Sequence, residues 1–250
     1  MNTLKSLFVL LGFIYHTYSY STEPCKKICI LNNRTCVTSG GYDVYKTVVN
    51  GVKGLNAPLD PLHIEKIEGV LENVKYKLTN ITLKGLKGCT VTKLKLNVTS
   101  TKYGQYLHCP KLISHFRFEA QGNTKKPVLR GKGTATVAAY NYDILNYGLY
   151  SVFVNDDHRP HFFIVTQHSK TNLKGKLEFA ITNAHLIDTN KVNETVKYMN
   201  DRWRETEKFL HAPIVQKAMT ILVYSIDKYS HKRTMGELLP EKKHQHYEKF

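Results

Sequence analysis

Acidic side chains are scarce in this chain of 250 residues. Asp and Glu number 20 against 36 Lys and Arg, a formal net charge of +16. In a nuclear or cytosolic protein that balance would point to nucleic acid. Here the lysines are dispersed, and the start of the chain argues for export instead, so no nucleic-acid partner is expected. Long apolar runs are also few. After residue 15 no segment reaches about 18 uninterrupted apolar residues, which predicts a soluble mature chain. Cysteine is limited to 5 positions, with no C-x-x-C pair and no Cys/His spacing of a zinc site. There is no G-x-S-x-G, no glycine-rich phosphate loop and no convincing triad. "DDHRPH" offers Asp157, His158 and His161, and "HQH" offers His244 and His246. The first is turn-like and the second lies in a polar tail, whereas metal ligands must converge in space. No catalytic residue, metal or cofactor is expected.

What is present begins with a leader. Lys5 precedes "LFVLLGFIY" (7–15), and Ser19 and Ser21 supply small residues after it. This is the layout of a signal peptide over 1–21, with secretion as the consequence. Four N-x-S/T triplets agree, placing candidate glycans on Asn33, Asn80, Asn97 and Asn193. In an oxidising compartment the cysteines should pair, leaving one over. Cys29 and Cys36 enclose a polar loop that a bridge would staple, with Cys25 then odd. Spacing alone leaves a Cys25–Cys36 pair open. Cys89 and Cys109 flank a candidate hairpin turning near Ser100–Gly104, within reach of each other once it folds.

The rest of the mature chain reads as helix, sheet, helix. "GYDVYKTVVNGV" sets Val44, Val48 and Val52 at helical spacing, with Gly54 as a stop. "GLNAPLDPLHI" then places Pro58 and Pro61 around Leu59 and Asp60, a stiff connector. Strand alternation follows. Val74, Tyr76 and Leu78 share one parity, Ile81 and Leu83 the other, so the phase slips near Asn80 as at a bulge. "FRFEA", "GKGTATVAAY", "YGLYSVFV", "HFFIVTQ" and "LKGKLEFAI" continue it. "TSTKYG", "QGNTKKP", "NDDHRP" and "QHSKTN" read as turns between them. This predicts a meander with one apolar face and one basic or glycosylated face. From Val192 the period shifts to near 3.6, with Val196, Met199, Trp203 and Leu210 on one stripe. Ile214, Ala218, Ile221, Leu222 and Ile226 continue it beyond Pro213, which should kink or restart the helix. A long apolar helix and a one-faced sheet satisfy each other when the sheet wraps the helix.

These motifs resemble the insect takeout and haemolymph juvenile hormone-binding protein family. "GLNAPLDPLHI", "ITLKGLKGCTVTKLKL", "CPKLISHFRF", "RGKGTATVAAYN", "NDRWRETEKFL" with Asn200 and Trp203, and "GELLPE" occur in the family's order, and Cys29/Cys36 is similar to its N-terminal bridge. Cys25, Cys89/Cys109 and the tail 242–250 depart from its pattern. The resemblance implies one α+β domain over 22–241. In it a highly curved antiparallel sheet wraps a long C-terminal helix around an apolar tunnel. It implies a non-enzymatic carrier of a small hydrophobic ligand: a juvenile hormone, a terpenoid or a fatty-acid-like molecule.

Phe116, Phe118, Val137, Tyr140, Phe162, Trp203 and Ile221 are the candidate tunnel residues. Tyr140, Tyr142, Tyr147 and Tyr150 are candidates for a polar end that fixes orientation. The alternative reading is a cationic secreted protein that contacts anionic membranes or glycolipids. The sequence sets no oligomeric state.

Overall fold

The computed structural model describes residues 29–31, 33–71, 73–122, 127, 130–154, 156, 158–185 and 190–241. The expected signal peptide (1–21), Cys25, Asp157 and the tail (242–250) with His244 and His246 lie outside the described residues. The first helix, α1 (Arg34–Asn50), starts where Asn33 Oδ1 accepts from the Cys36 amide (3.2 Å). It ends at Gly51, whose φ of 91° suits glycine. The helix is thus longer than the short helix expected from Val44, Val48 and Val52, and its stop is Gly51, not Gly54. Its buried face is Val37, Tyr45, Val48 and Val49 with two glycines.

The proline connector ends in a cis Asp60–Pro61 bond, and β1 (Leu62–Leu71) begins directly after it. Asp60 explains why the segment is polar at its centre. Its carboxylate accepts from the Gly85 amide (3.1 Å) and the Lys87 amide (2.8 Å). Those amides open the short 3-10 turn Leu86–Gly88 between β2 (Val74–Lys84) and β3 (Thr90–Asn97). The connector therefore fixes the next turn as well as the entry to β1.

The sheet has eight antiparallel strands, but it is not a simple meander. Two long strands form its spine: β4 (Lys102–Gly122, 21 residues) and β5 (Gly131–Val154, 24 residues). Both β2 and β3 pair with β4. The strands β6 (Pro160–Ile164), β7 (His168–Leu173) and β8 (Leu177–His185) all pair with β5. The slip in β2 is real: register shifts between Thr79 and Thr82, with Asn80 at φ 49°. "QHSKTN" is strand β7, not a turn. Its inward side chains bond with polar core groups instead of packing: Ser169 Oγ donates to Asn146 Oδ1 (2.8 Å), and Thr171 Oγ1 approaches Glu207 Oε1 (3.5 Å).

The helical tail runs α2 (Asn190–Asp201), α3 (Trp203–Thr206), a π turn (Glu207–His211) and α4 (Ala212–His231), followed by α5 (Met235–Leu238). The π turn sits just before Pro213, which lacks the N–H a continuous ladder needs. Asn200 docks α2 on the free edge of β8 as a strand would. Its Oδ1 accepts from the Phe179 amide and its Nδ2 donates to the Phe179 carbonyl, both at 2.8 Å. That is the physical use of the Asn in "NDRW". Trp203–His231 is long and apolar enough to cross a bilayer, yet 56% of its 18-residue apolar window is buried inside the protein, as in a core helix.

Along most of its length the sheet closes fully on α4. Leu78, Leu112, Val137, Ala139, Ala218, Met219 and Leu222 are all fully buried. Each large apolar side chain buried this way stabilises the fold by about 1.5–3 kcal/mol. The apolar cavity described below lies at one end of the curled, unclosed sheet, and among the described residues these fully buried side chains leave no channel beside the middle of α4, where a tunnel was expected.

Candidate functional site

At that end α1, β3, β4, β6, α4 and α5 surround a cavity of about 70 Å³, half open to the surface. Its walls are Val44 from α1, Leu94 and Leu96 from β3, Phe162 and Ile164 from β6, Val223 and Ile226 from α4, and Met235, Leu238 and Leu239 from the α5 end. Among the described residues the lining carries no charged side chain. Polar groups come chiefly from β4, where Tyr103 and Gln105 occupy inward positions between apolar ones. Both are nearly fully buried.

Tyr103 Oη is buried and makes no hydrogen bond. Burial, and then the charge of Asp227, push its phenol well above the ordinary tyrosine value, so it remains a neutral donor. Gln105 Oε1 accepts from Asn146 Nδ2 (3.2 Å), which leaves the amide NH₂ available to the cavity. A buried hydroxyl without a partner is costly, on the order of 1–3 kcal/mol. An uncharged hydrogen-bonding group at this position would relieve it.

The Cys29–Cys36 bridge ties the chain before α1 to its first turn, and Cys89–Cys109 joins the 3-10 turn to β4. Cys29 packs with Val37, Met235, Leu238 and Leu239, so the first bridge braces the cavity rim.

Of the seven candidate tunnel residues, Phe162 alone lines this cavity. Phe116, Phe118 and Val137 are solid core. Trp203 and Ile221 are partly buried against that core, with Arg204 4.1 Å from the Trp203 ring centroid. Tyr140 is on the outer face, where its hydroxyl donates to Glu178 Oε2 (2.9 Å). Among the other tyrosines, Tyr142 is buried against the π turn, Tyr147 is on the outer face beside Lys170, and Tyr150 stacks on Phe162 (5.0 Å). His161 is buried in β6 opposite Phe153, and His158 is exposed.

Tyr103 falls within "TSTKYG", which reads as a turn in sequence although β4 already begins at Lys102, and Gln105 follows directly after it. Their signal was parity: both share the phase of Leu107 and Cys109, and a polar residue on an apolar phase marks a buried polar site.

The model of the family "Haemolymph juvenile hormone binding protein (JHBP)" matches residues 8–240. No curated protein sequence matches the chain. Among solved structures, Takeout 1 of Epiphyas postvittana aligns with a TM-score of 0.74 at 18% identity, over 83% of this chain and 96% of that one. A lipopolysaccharide binding protein aligns at 0.42 and 9% identity, over 82% of this chain and 39% of that one. The fold is shared with Takeout 1, and by the family match the chain belongs to the haemolymph juvenile hormone binding protein family.

Proposed function

We propose that this protein is a secreted carrier of a small, neutral, apolar ligand held at the α1/α5 end of the sheet. The observation that carries the reading is the unpartnered Tyr103 hydroxyl inside an uncharged apolar cavity. Membership in a family described by hormone binding supports it. The ligand presents one acceptor, such as an ester or ether oxygen, to Tyr103 and Gln105. A carboxylate is disfavoured because, among the described residues, no cation lines the cavity to offset its desolvation. This selects the terpenoid and hormone-like candidates over the fatty acids.

Burial of a ligand of about 15 carbons offers on the order of 10 kcal/mol gross, at about 0.8 kcal/mol per methylene. After association costs, micromolar to nanomolar affinity follows. Such a ligand needs more room than about 70 Å³, since even at about 10–15 Å³ per water-sized group 15 carbons exceed it. Entry of the whole chain therefore requires α1 and α5 to part from β3 and β6.

Two bridges suit an oxidising compartment, and the four sequon asparagines are all exposed, which supports export and glycosylation. The test is displacement of a fluorescent naphthylamine probe by a neutral sesquiterpenoid methyl ester and by its free acid at pH 7. The ester should displace at a concentration at least ten times lower. Equal displacement by the acid, or none by either, would overturn the reading.

A further inference from the structure

The outer face of the sheet carries a second recognition surface, on the side opposite the apolar cavity. The register aligns two rows across four strands. One runs Lys93, Tyr106, Leu145, Lys170, and the next runs Lys95, Gly104, Tyr147, His168. In both rows the basic residues come from β3 and β7, and the floor between them is aromatic or apolar. Two depressions of about 450 and 320 Å³ lie on this floor and share Tyr106, Leu145 and Lys170. Gly104 deepens it: a Cβ there would rest 3.7 Å from the Tyr106 ring and 3.8 Å from Leu145. From Lys102 to His108 the trough is roughly 20 Å long, at about 3.3 Å per residue.

Its charge is one-sided. Lys93 Nζ and Lys95 Nζ both lie about 6 Å from the Tyr106 ring centroid, at 5.9 and 6.0 Å. They repel each other, and Lys95 is the first cause of a lowered Lys93 pKa. Lys170 lies 5.6 Å from the Tyr147 centroid. Among the described residues no carboxylate pairs with Lys93, Lys95, Lys102 or Lys170. The one acid lining the trough among the described residues, Asp143, is already held by His108 (2.8 Å) and Lys174 (2.5 Å). Convergent unpaired ammonium groups beside an apolar floor are complementary to a chain that is anionic at its edges and apolar on its ring faces.

We propose that this trough binds a linear acidic polysaccharide, its sugar rings lying on Tyr106, Leu145 and Tyr147 and its sulfate or carboxylate groups reaching the lysines of β3 and β7. Cations on both banks suit a polymer whose charged groups project alternately to either side. A single-stranded nucleic acid keeps its phosphates along one edge. A bilayer surface is flat and reaches the rims of a recessed floor without touching it. Only one strand's thickness separates this trough from the cavity, since Tyr103 and Gln105 alternate with Gly104 and Tyr106 along β4.

The test uses the full chain with Asn97→Gln, because Asn97 lines one end of the trough and an attached glycan there would compete. The probe is heparin, with binding followed by titration calorimetry at 0.05 and 0.15 M salt. We expect binding that weakens as salt rises. Lys93→Gln with Lys95→Gln should weaken it at least tenfold at 0.15 M, and Tyr147→Ala should weaken it at least threefold with no change of charge. The charge-matched control, Lys53→Gln with Lys217→Gln, should weaken it less than threefold. All of these positions are at the surface or only partly buried, and an unchanged thermal midpoint confirms folding in each variant. The proposal fails if heparin does not bind at 0.05 M salt, if the control pair loses as much as Lys93/Lys95, or if Tyr147→Ala has no effect. It also fails if single-stranded DNA or anionic phosphatidylserine vesicles bind as tightly as heparin and lose as much with the same variants.

Discussion

The Tyr142 hydroxyl donates to Glu207 Oε1 at 2.5 Å inside the core, joining the middle of β5 to the first residue of the π turn. The turn buries Glu207, Leu210 and His211 together, and the Tyr142 and His211 rings meet edge to face at 5.2 Å. Burial, and then the Glu207 carboxylate, push the Tyr142 phenol further above its ordinary value, so it stays a donor at any working pH. Removing it leaves Glu207 with the longer Thr171 contact. Tyr142→Phe should cost about 2–3 kcal/mol. At about 2–4 °C per kcal/mol for a domain of this size, the thermal midpoint falls by roughly 4–12 °C. Differential scanning calorimetry checks this; an unchanged midpoint would show the bond to be energetically idle.

His211 makes the fold acid-sensitive. Neither ring nitrogen has a partner, and complete burial lowers its pKa to about 3. The unfolded chain, with an ordinary histidine near 6.5, takes up the proton first. Stability from this group is therefore whole above about pH 6.5 and declines as pH falls toward 3, by about 1.4 kcal/mol per pH unit. Between pH 7 and pH 5 the loss is about 2 kcal/mol. Urea unfolding of His211→Leu should show a pH dependence flatter by that amount, whatever the variant's stability at pH 7. Parallel pH curves for the two proteins would refute it.

How much of this was legible depends on what each segment does with its inward side chains. Where they are apolar, as in Phe116/Phe118 or Leu177/Phe179, alternation locates the strand and its buried face. Where they hydrogen-bond, as in Ser169 and Thr171, the strand is composed like a turn and reads as one. The π turn had only Pro213 as its sign, and proline marks a break without giving its geometry. The cavity was hardest to read because no single segment makes it. Val44, Leu94, Phe162, Ile226 and Leu238 are far apart in the chain and meet only through the curl of the sheet. The trough on the outer face has the same cause: Lys93, Tyr106, Leu145 and Lys170 are ordinary polar-face residues until the register aligns them.

The connector that opens the sheet is testable through Asp60. Its carboxylate serves the Gly85 and Lys87 amides, which have no helical or ladder acceptor in the 3-10 turn. Bonds to a carboxylate contribute about 1.5–3 kcal/mol. Asp60→Ala should lower stability by about that amount and speed amide exchange at Gly85 and Lys87 at least tenfold. Asp60→Asn, which retains one acceptor oxygen, should recover part of both effects. If exchange at the two amides is unchanged in Asp60→Ala, another group holds the turn.

Tyr103 separates recognition from packing. Its ring closes the cavity wall, while its hydroxyl is buried without a partner. Tyr103→Phe keeps the ring and deletes only that hydroxyl, so the protein should be more stable by about 1–3 kcal/mol. Binding should respond in the opposite direction. A neutral ligand with an ester oxygen loses one hydrogen bond of about 1 kcal/mol, a five- to tenfold weaker affinity. A hydrocarbon of the same carbon skeleton should bind both proteins equally, because it never used the hydroxyl. Titration of the two ligands into the two proteins isolates the coupling between hydroxyl and ester. Equal weakening of ester and hydrocarbon would mean that the substitution altered the cavity's shape, and Tyr103 would then be a wall residue and not the group that orients the ligand.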